Sequence, residues 1–270
     1  MVKTIIFSFG YDGSGFNGWQ SQPNKRTIQG EFDKAFQKIF KFKPKSIISG
    51  RTDTGVHAKN QLVSININEI ENTYLKVPKE KLTKIFNDFL PEDIFIINSN
   101  YLDFEFNARF DAIAREYSYT CSNQNNTFTR NYEFQIKNNK HNKFIKYNKN
   151  IDIDLLNQAS KILIGKHDFT TFSKVNLDVA NYICDVEFAY WKNLDENRIE
   201  FRIKANRFVY SMVRNLVANL LMLSANYRGL DIAEFEKNFK SMNRNFSFGL
   251  APANGLYFEK VYYEDDLILF

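Results

Sequence analysis

The chain predicts an α+β protein of two similar lobes, each a mostly antiparallel sheet backed by helices. Three observations carry that expectation. Short runs of strand-like character alternate with stretches whose apolar residues recur at helical spacing. Two such series follow one another, with a boundary near residues 100–106. The 270 residues are 44% hydrophobic and 25% charged, ordinary globular values that suffice for a sizeable core.

Taken in order, Lys3–Phe9 reads as a buried strand that ends in the turn-rich Gly10-Tyr11-Asp12-Gly13-Ser14-Gly15. No Lys-Ser/Thr follows and no helix starts at once, so those glycines do not make a phosphate loop. Ile28, Phe32, Phe36, Ile39 and Phe40 keep helical spacing. Strands are expected at Lys45–Ile48 and Gln61–Ile67. A helix over Lys79–Phe89 carries Leu82, Ile85, Phe86 and Phe89, Pro91 ends it, and Ile94–Ile97 is another strand. Arg115 to Cys121 alternates as a strand, with Tyr117 and Tyr119 on one face.

The second series opens with a helix over Asp152–Leu163, capped by Asp152. A loop with strand-like ends spans Gly165–Ser173, and strands follow at Cys184–Trp191 and Arg198–Ala205. The strongest helix runs from Phe208 to Leu223, with Val209, Met212, Val213, Leu216, Val217, Leu220 and Leu221 as its buried stripe. Arg207, Tyr210 and Arg214 fall on a separate face of it. Asp231–Lys240 is a short helix and Gly255–Tyr263 a final strand. The expected lobes are 1–105 and 106–270.

Composition narrows the function. Net charge is +5, compatible with a nucleic-acid partner. The 27 Phe and 14 Tyr are mostly core, with a few available for base stacking. Cys121 and Cys184 form no Cys-x-x-Cys, and the three histidines have no metal-ligand spacing, so neither a disulfide framework nor a metal site is expected. The N-terminal apolar run is short for a signal peptide and no stretch is long enough to span a bilayer. The expectation is a cytoplasmic protein. The Asn/Lys-rich 137–150 stretch holds five lysines and no acidic residue, and reads equally as a solvated loop or a phosphate contact.

The candidate chemistry sits in Ser49-Gly50-Arg51-Thr52-Asp53-Thr54-Gly55-Val56-His57-Ala58. An aspartate bracketed by glycines is held out of a sheet edge, although such loops are most often plain turns. His57 either caps this loop or touches a ligand.

With the remaining motifs, the sequence resembles the TruA family of tRNA pseudouridine synthases over nearly its whole length. The carriers are Tyr11–Phe16 with Gly18-Trp19-Gln20, Gly50–Asp53 with Gly55–Ala58, Asn107–Phe110, Arg115-Glu116-Tyr117, His167–Thr170, Phe208–Asn215 and Gly255-Leu256-Tyr257. The resemblance implies isomerisation of uridine to pseudouridine at positions 38, 39 and 40 of the tRNA anticodon stem-loop. It implies a pseudouridine synthase fold with two pseudo-symmetric lobes flanking an RNA-binding cleft, in a homodimer. Asp53 matches the catalytic aspartate and Arg214 the arginine that pairs with it. Tyr117 matches the base-stacking tyrosine and Arg51 an arginine that helps displace the base. Phe106, Asn107, Ala108, Arg109 and Phe110, and Asp168, Phe169, Thr170, Thr171 and Phe172, are implied RNA contacts. Thr54 departs from the family's usual alanine. Lys59-Asn60 replaces a segment that usually carries glycine, where Asn would serve a φ > 0 turn.

The chemistry agrees with those roles. The reaction breaks N1–C1′, turns the base and rejoins it through C5, so atoms are conserved and no cofactor is needed. A paired base must be flipped out at a cost of a few kcal/mol, and stacking on an aromatic returns roughly 1–3 kcal/mol. The carboxylate acts ionised, and an adjacent guanidinium favours that form. The alternative is a non-catalytic tRNA-binding chaperone of the same fold.

Overall fold

The computed structural model describes residues 1–136, 151–177, 179–264 and 270. The basic 137–150 stretch singled out above lies outside them. The chain forms two compact units, Met1–Arg115 with Tyr257–Phe270, and Glu116–Leu256.

The first unit is built on β1 (Thr4–Tyr11), β2 (Ile47–Ile48), β3 (His57–Asn66) and β4 (Ile94–Leu102), with α1 (Ile28–Phe40), the single-turn α2 (Glu69–Asn72) and α3 (Lys79–Phe89). β1 pairs antiparallel with β3 on one side and β4 on the other, and β2 pairs with β3. The last strand of the chain, β10 (Leu256–Tyr262), runs parallel to β3, with Tyr257 opposite His57.

Both faces of β1 are covered, so Ile5, Ile6, Phe7 and Phe9 are all buried. On one face Phe7 meets Phe86 of α3 at 4.3 Å and Phe32 of α1 at 5.3 Å between ring centroids, and Phe32 stacks on Phe86 at 5.7 Å. On the other, Ile6 clusters with Leu62, Leu102, Phe106 and Ala108, against which Val261 and Tyr263 pack. Thr27 caps α1 by accepting from the Gly30 amide, and Lys41, at φ 66°, ends it in the left-handed conformation.

The second unit holds β5 (Ala114–Ser122), which begins two residues before it, β6 (Phe134–Gln135), β7 (Gly165–Asp168), β8 (Ile183–Asn193) and β9 (Arg198–Ala205). Its helices are α4 (Ile153–Lys161), α5 (Met212–Ser224) and α6 (Ile232–Lys240). β7, β8 and β9 form an antiparallel run, β5 lies beside β9, and β6 adds to β5 in parallel. α4 packs on β8, α5 and α6. From Met212 to Leu223 every residue of α5 but Arg214 is buried. The α+β class and the mostly antiparallel sheet backed by helices stand as the element order implied.

Two local expectations are corrected. The strong helix begins at Met212, four residues late, because Ser211 takes φ 61° and breaks the helical path. Arg207 and Tyr210 therefore lie on the lead-in and share no helical face with Arg214. β3 begins at His57, ahead of the expected Gln61, and Asn60 sits in the strand without a positive φ. One extra residue of β3 is accommodated by a bulge between Ala58 and Gln61, opposite the β1 stretch from Phe9 to Tyr11.

Candidate active site

Asp53 occupies the first position of a turn closed by the Val56 amide, which donates to the Asp53 carbonyl at 3.1 Å. Gly55, at φ 79°, takes the left-handed third position such a turn requires. Gly50 has no such conformation. Its carbonyl instead accepts from Gln61 Nε2 at 2.7 Å, and Gln61 also bonds the Ser49 hydroxyl. Asp53 is half-buried, Arg51 and Thr54 are exposed, and Thr52 points inward. With its side chain in solvent, Thr54 does not crowd the loop.

The loop is held from behind by the glycine-rich stretch after β1. The Trp19 amide donates to the Thr52 carbonyl at 3.1 Å. The Tyr11 hydroxyl shares a 2.7 Å hydrogen bond with Thr52 Oγ1, and burial pushes the Tyr11 phenol up to about 12, so it stays protonated. Gly18, at φ 82°, passes so close that a Cβ there would lie 2.8 Å from the Thr52 carbonyl oxygen and 3.1 Å from the Asp53 carbonyl carbon. A Cβ on Gly13 would lie 2.0 Å from the Val56 oxygen. These glycines cradle the Asp53 turn rather than a phosphate.

Its entry is tied down by Arg115. The guanidinium donates to the Ser49 carbonyl through Nε at 3.2 Å and Nη2 at 3.1 Å, to the Ala112 carbonyl at 3.0 Å, and to the Arg109 carbonyl. One side chain thus fixes both the start of the aspartate loop and the 106–112 segment. Sequence reasoning noted Arg115 only as part of a motif. The signal was its place two residues before Tyr117, which puts both on one face of the same strand.

Of the residues expected to contact RNA in this unit, Phe106 and Ala108 are core. Asn107 Oδ1 accepts from the Arg109 and Phe110 amides at 3.0 and 3.1 Å, which turns the chain outward. Arg109 and Phe110 are exposed, Phe110 at 76%, with the guanidinium carbon 5.4 Å from the ring centroid.

In the second unit, Tyr117 is 9% exposed and meets Phe208 edge-to-face at 4.9 Å. Its neighbour Glu116 is buried and paired with Arg202. Tyr119 is fully buried, and its hydroxyl donates to the Pro252 carbonyl at 2.7 Å. Arg214 is half-buried and reciprocally bonded to Ala251: Nε donates to the Ala251 carbonyl at 2.8 Å, and the Ala251 amide donates to the Arg214 carbonyl at 3.0 Å.

The Asp168–Phe172 loop is anchored to α6. Thr171 Oγ1 bonds the Asn238 and Phe239 carbonyls at 3.1 Å, while Phe169 and Phe172 pack against Phe239 at 5.1 and 5.6 Å. Asp168 accepts from the Thr170 amide at 2.8 Å, and these two side chains are the half-exposed members of the loop.

Among the described residues, no three His, Cys, Asp or Glu stand together as a metal-binding group, and no helix is long and apolar enough to cross a membrane.

A family model described as tRNA pseudouridine synthase matches residues 159–264. A chain from Borrelia garinii subsp. bavariensis named tRNA pseudouridine synthase A is 38% identical over 97% of this chain and 100% of its own length. One of the same name from Borreliella burgdorferi has the same identity and coverage. A third, from Bacillus pumilus, is 33% identical over 94% of this chain and 97% of its own. A chain of a Cbf5-Nop10-Gar1 complex gives a TM-score of 0.32 at 10% identity, covering 79% of this chain and 52% of that one.

Proposed function

The chain belongs to the tRNA pseudouridine synthase A family and isomerises uridine to pseudouridine in tRNA, and from that premise we propose that Asp53 carries the chemistry at positions 38, 39 and 40 of the anticodon stem-loop. The relationship at 38% identity over 97% of the chain carries the reaction class. The geometry of the aspartate loop supports the choice of residue. Asp53 is half-buried on a turn fixed by Gly18, Trp19 and Tyr11 behind it and by Arg115 at its entry. Catalysis gains from a reacting group held in place before the substrate arrives.

In this reading the target uridine leaves the stem and its base stacks on Tyr117. Asp53 then acts on the sugar or base while the glycosidic bond breaks. Arg214 stabilises the carboxylate, and Arg51, exposed on the same loop as Asp53, helps displace the base. Arg109 and Phe110 offer a cation and an aromatic face to the backbone and bases. The remaining implied contacts, Asn107, Asp168 and Thr170, would act through their half-exposed polar groups, and Phe106, Ala108, Phe169, Thr171 and Phe172 would hold the two loops in shape. A cytoplasmic location and a homodimer complete the proposal. Light scattering at micromolar concentration tests the dimer.

The deciding experiment is release of tritium from tRNA labelled at uridine C5, comparing the natural protein with Asp53→Ala. The expected result is loss of release with tRNA binding retained. Equal release from both would remove Asp53 from the mechanism, and binding without release from either would favour the chaperone.

A further inference from the structure

His57 is 2% exposed, so it cannot touch RNA from where it stands. It follows the Asp53–Val56 turn directly and joins three segments of the first unit. Its Nδ1 accepts from the Gly13 amide at 3.1 Å. Its ring stacks on Tyr257 of β10 at 4.8 Å with 22° between planes. Its backbone opens β3, in register with Tyr257. Gly13 in turn lies against the Val56 carbonyl with no room for a Cβ, so whatever holds Gly13 holds the far end of the catalytic turn.

An acceptor also faces the same ring nitrogen. Asp12 Oδ1 lies 3.2 Å from His57 Nδ1 while also accepting from the Ser14 amide at 2.9 Å and the Ser14 hydroxyl. Nδ1 has one site. As a lone pair it accepts from Gly13, and once protonated it loses that bond and becomes a donor facing Asp12. Among the described residues, titratable groups on this side include Tyr257, stacked on the ring, and Lys59, which lies over the Tyr257 ring at 5.2 Å and pairs with Glu259 at 2.7 Å.

We propose that His57 is a positioning residue for the isomerisation, holding the Asp53 turn through Gly13 only while its Nδ1 is unprotonated. The proposal rests on Asp53 as the reacting group. Protonation exchanges the Gly13 bond for one to Asp12, so the hold of β3 on this segment moves off Gly13, the residue packed on the Val56 carbonyl. A displacement of about 1 Å at a reacting group costs about a hundredfold in rate, so a partial loosening is worth tenfold or more in kcat. KM is unaffected because His57 does not meet the tRNA.

The test uses His57→Phe, which keeps the stack on Tyr257 without an acceptor, and His57→Asn, whose Oδ1 reaches the position of Nδ1. In the tritium-release assay His57→Phe is expected to lower kcat about tenfold or more at unchanged KM, and His57→Asn to recover most of that loss. The natural protein should lose kcat as the imidazole takes its second proton, and His57→Asn should lack that limb. The need for an ionised Asp53 is common to both and cancels.

Wild-type turnover in His57→Phe, a His57→Asn as slow as His57→Phe, or a pH profile of kcat in His57→Asn identical to that of the natural protein would overturn the proposal. If His57→Phe fails to fold, His57→Gln, whose amide reaches the Nε2 side, replaces it with the same expectation. The Gly13 amide resonance gives a readout without turnover: it should move with pH in the natural protein and stay fixed in His57→Asn. Absence of tritium release from the natural protein would count against the pseudouridine reading, whereas a Gly13 resonance indifferent to pH counts against His57 alone.

Discussion

Gly18→Ala tests whether the cradle behind Asp53 matters to catalysis. The substitution does two things. It places an L side chain at φ 82°, which costs roughly 1–2 kcal/mol for the left-handed conformation. It also sets a Cβ 2.8 Å from the Thr52 oxygen and 3.1 Å from both the Asp53 carbonyl carbon and the Thr54 nitrogen. All three are backbone atoms, so no side chain can rotate away and the turn itself must recede by about half an ångström. On the scale of about a hundredfold per ångström, kcat should fall about tenfold. The stability loss should lower Tm by about 2–4 °C. Gly229→Ala is the matched control: Gly229 has φ 79°, but an added Cβ meets nothing within 4 Å. It should cost about 1 kcal/mol in a denaturant titration and leave tritium release unchanged. A Gly18→Ala enzyme with natural kcat, or a Gly229→Ala enzyme equally slowed, would refute the reasoning.

Tyr117→Phe should keep base stacking and tRNA affinity but lower kcat about tenfold or more if the hydroxyl takes part in proton transfer; unchanged turnover would limit Tyr117 to stacking. Arg109→Ala should weaken tRNA binding and reduce the slope of log K against log salt by about 1, measured by filter binding between low and physiological salt. Asp33 is half-buried on α1, accepts from the Ser46 hydroxyl at 2.7 Å, and is pushed up by burial to about 6. Its folded value exceeds the unfolded one, so its contribution favours folding most below the ordinary carboxylate range and is lost as pH rises through 6. Asp33→Asn should therefore be more stable than the natural protein at pH 7, by about 1 kcal/mol after allowance for solvent screening, with the difference vanishing near pH 4. Urea titrations at the two pH values check this.

The elements of the fold were largely legible because core packing writes itself as periodicity. Phe32, Phe36 and Phe40 recur at helical spacing since one face of α1 meets Phe7 and Phe86. The start of α5 was not legible. Val209 continues the apolar stripe and is buried, but only the dihedral of Ser211 shows that the chain is not yet helical there. The strand position of Asn60 was hidden likewise, since Asn60 falls within the bulge of β3 opposite Phe9 to Tyr11, and polar residues there break the strand pattern.

By itself the sequence named the chemical candidates: an aspartate at a glycine-marked turn, a tyrosine and an arginine that the family resemblance assigns to it, and a composition compatible with an RNA partner. Only the tertiary structure decided what holds that aspartate still. Gly18 and Gly13 read as loop residues until their backbones are seen against Thr52 and Val56, and Arg115 reads as a strand cation until its guanidinium is found on Ser49 and Arg109. His57 could have faced a ligand until its ring was found buried between Gly13 and Tyr257, residues 44 positions before it and 200 after. Residue type fixes what a group can do chemically, whereas close approach between backbones distant in sequence is a property of the packed chain alone.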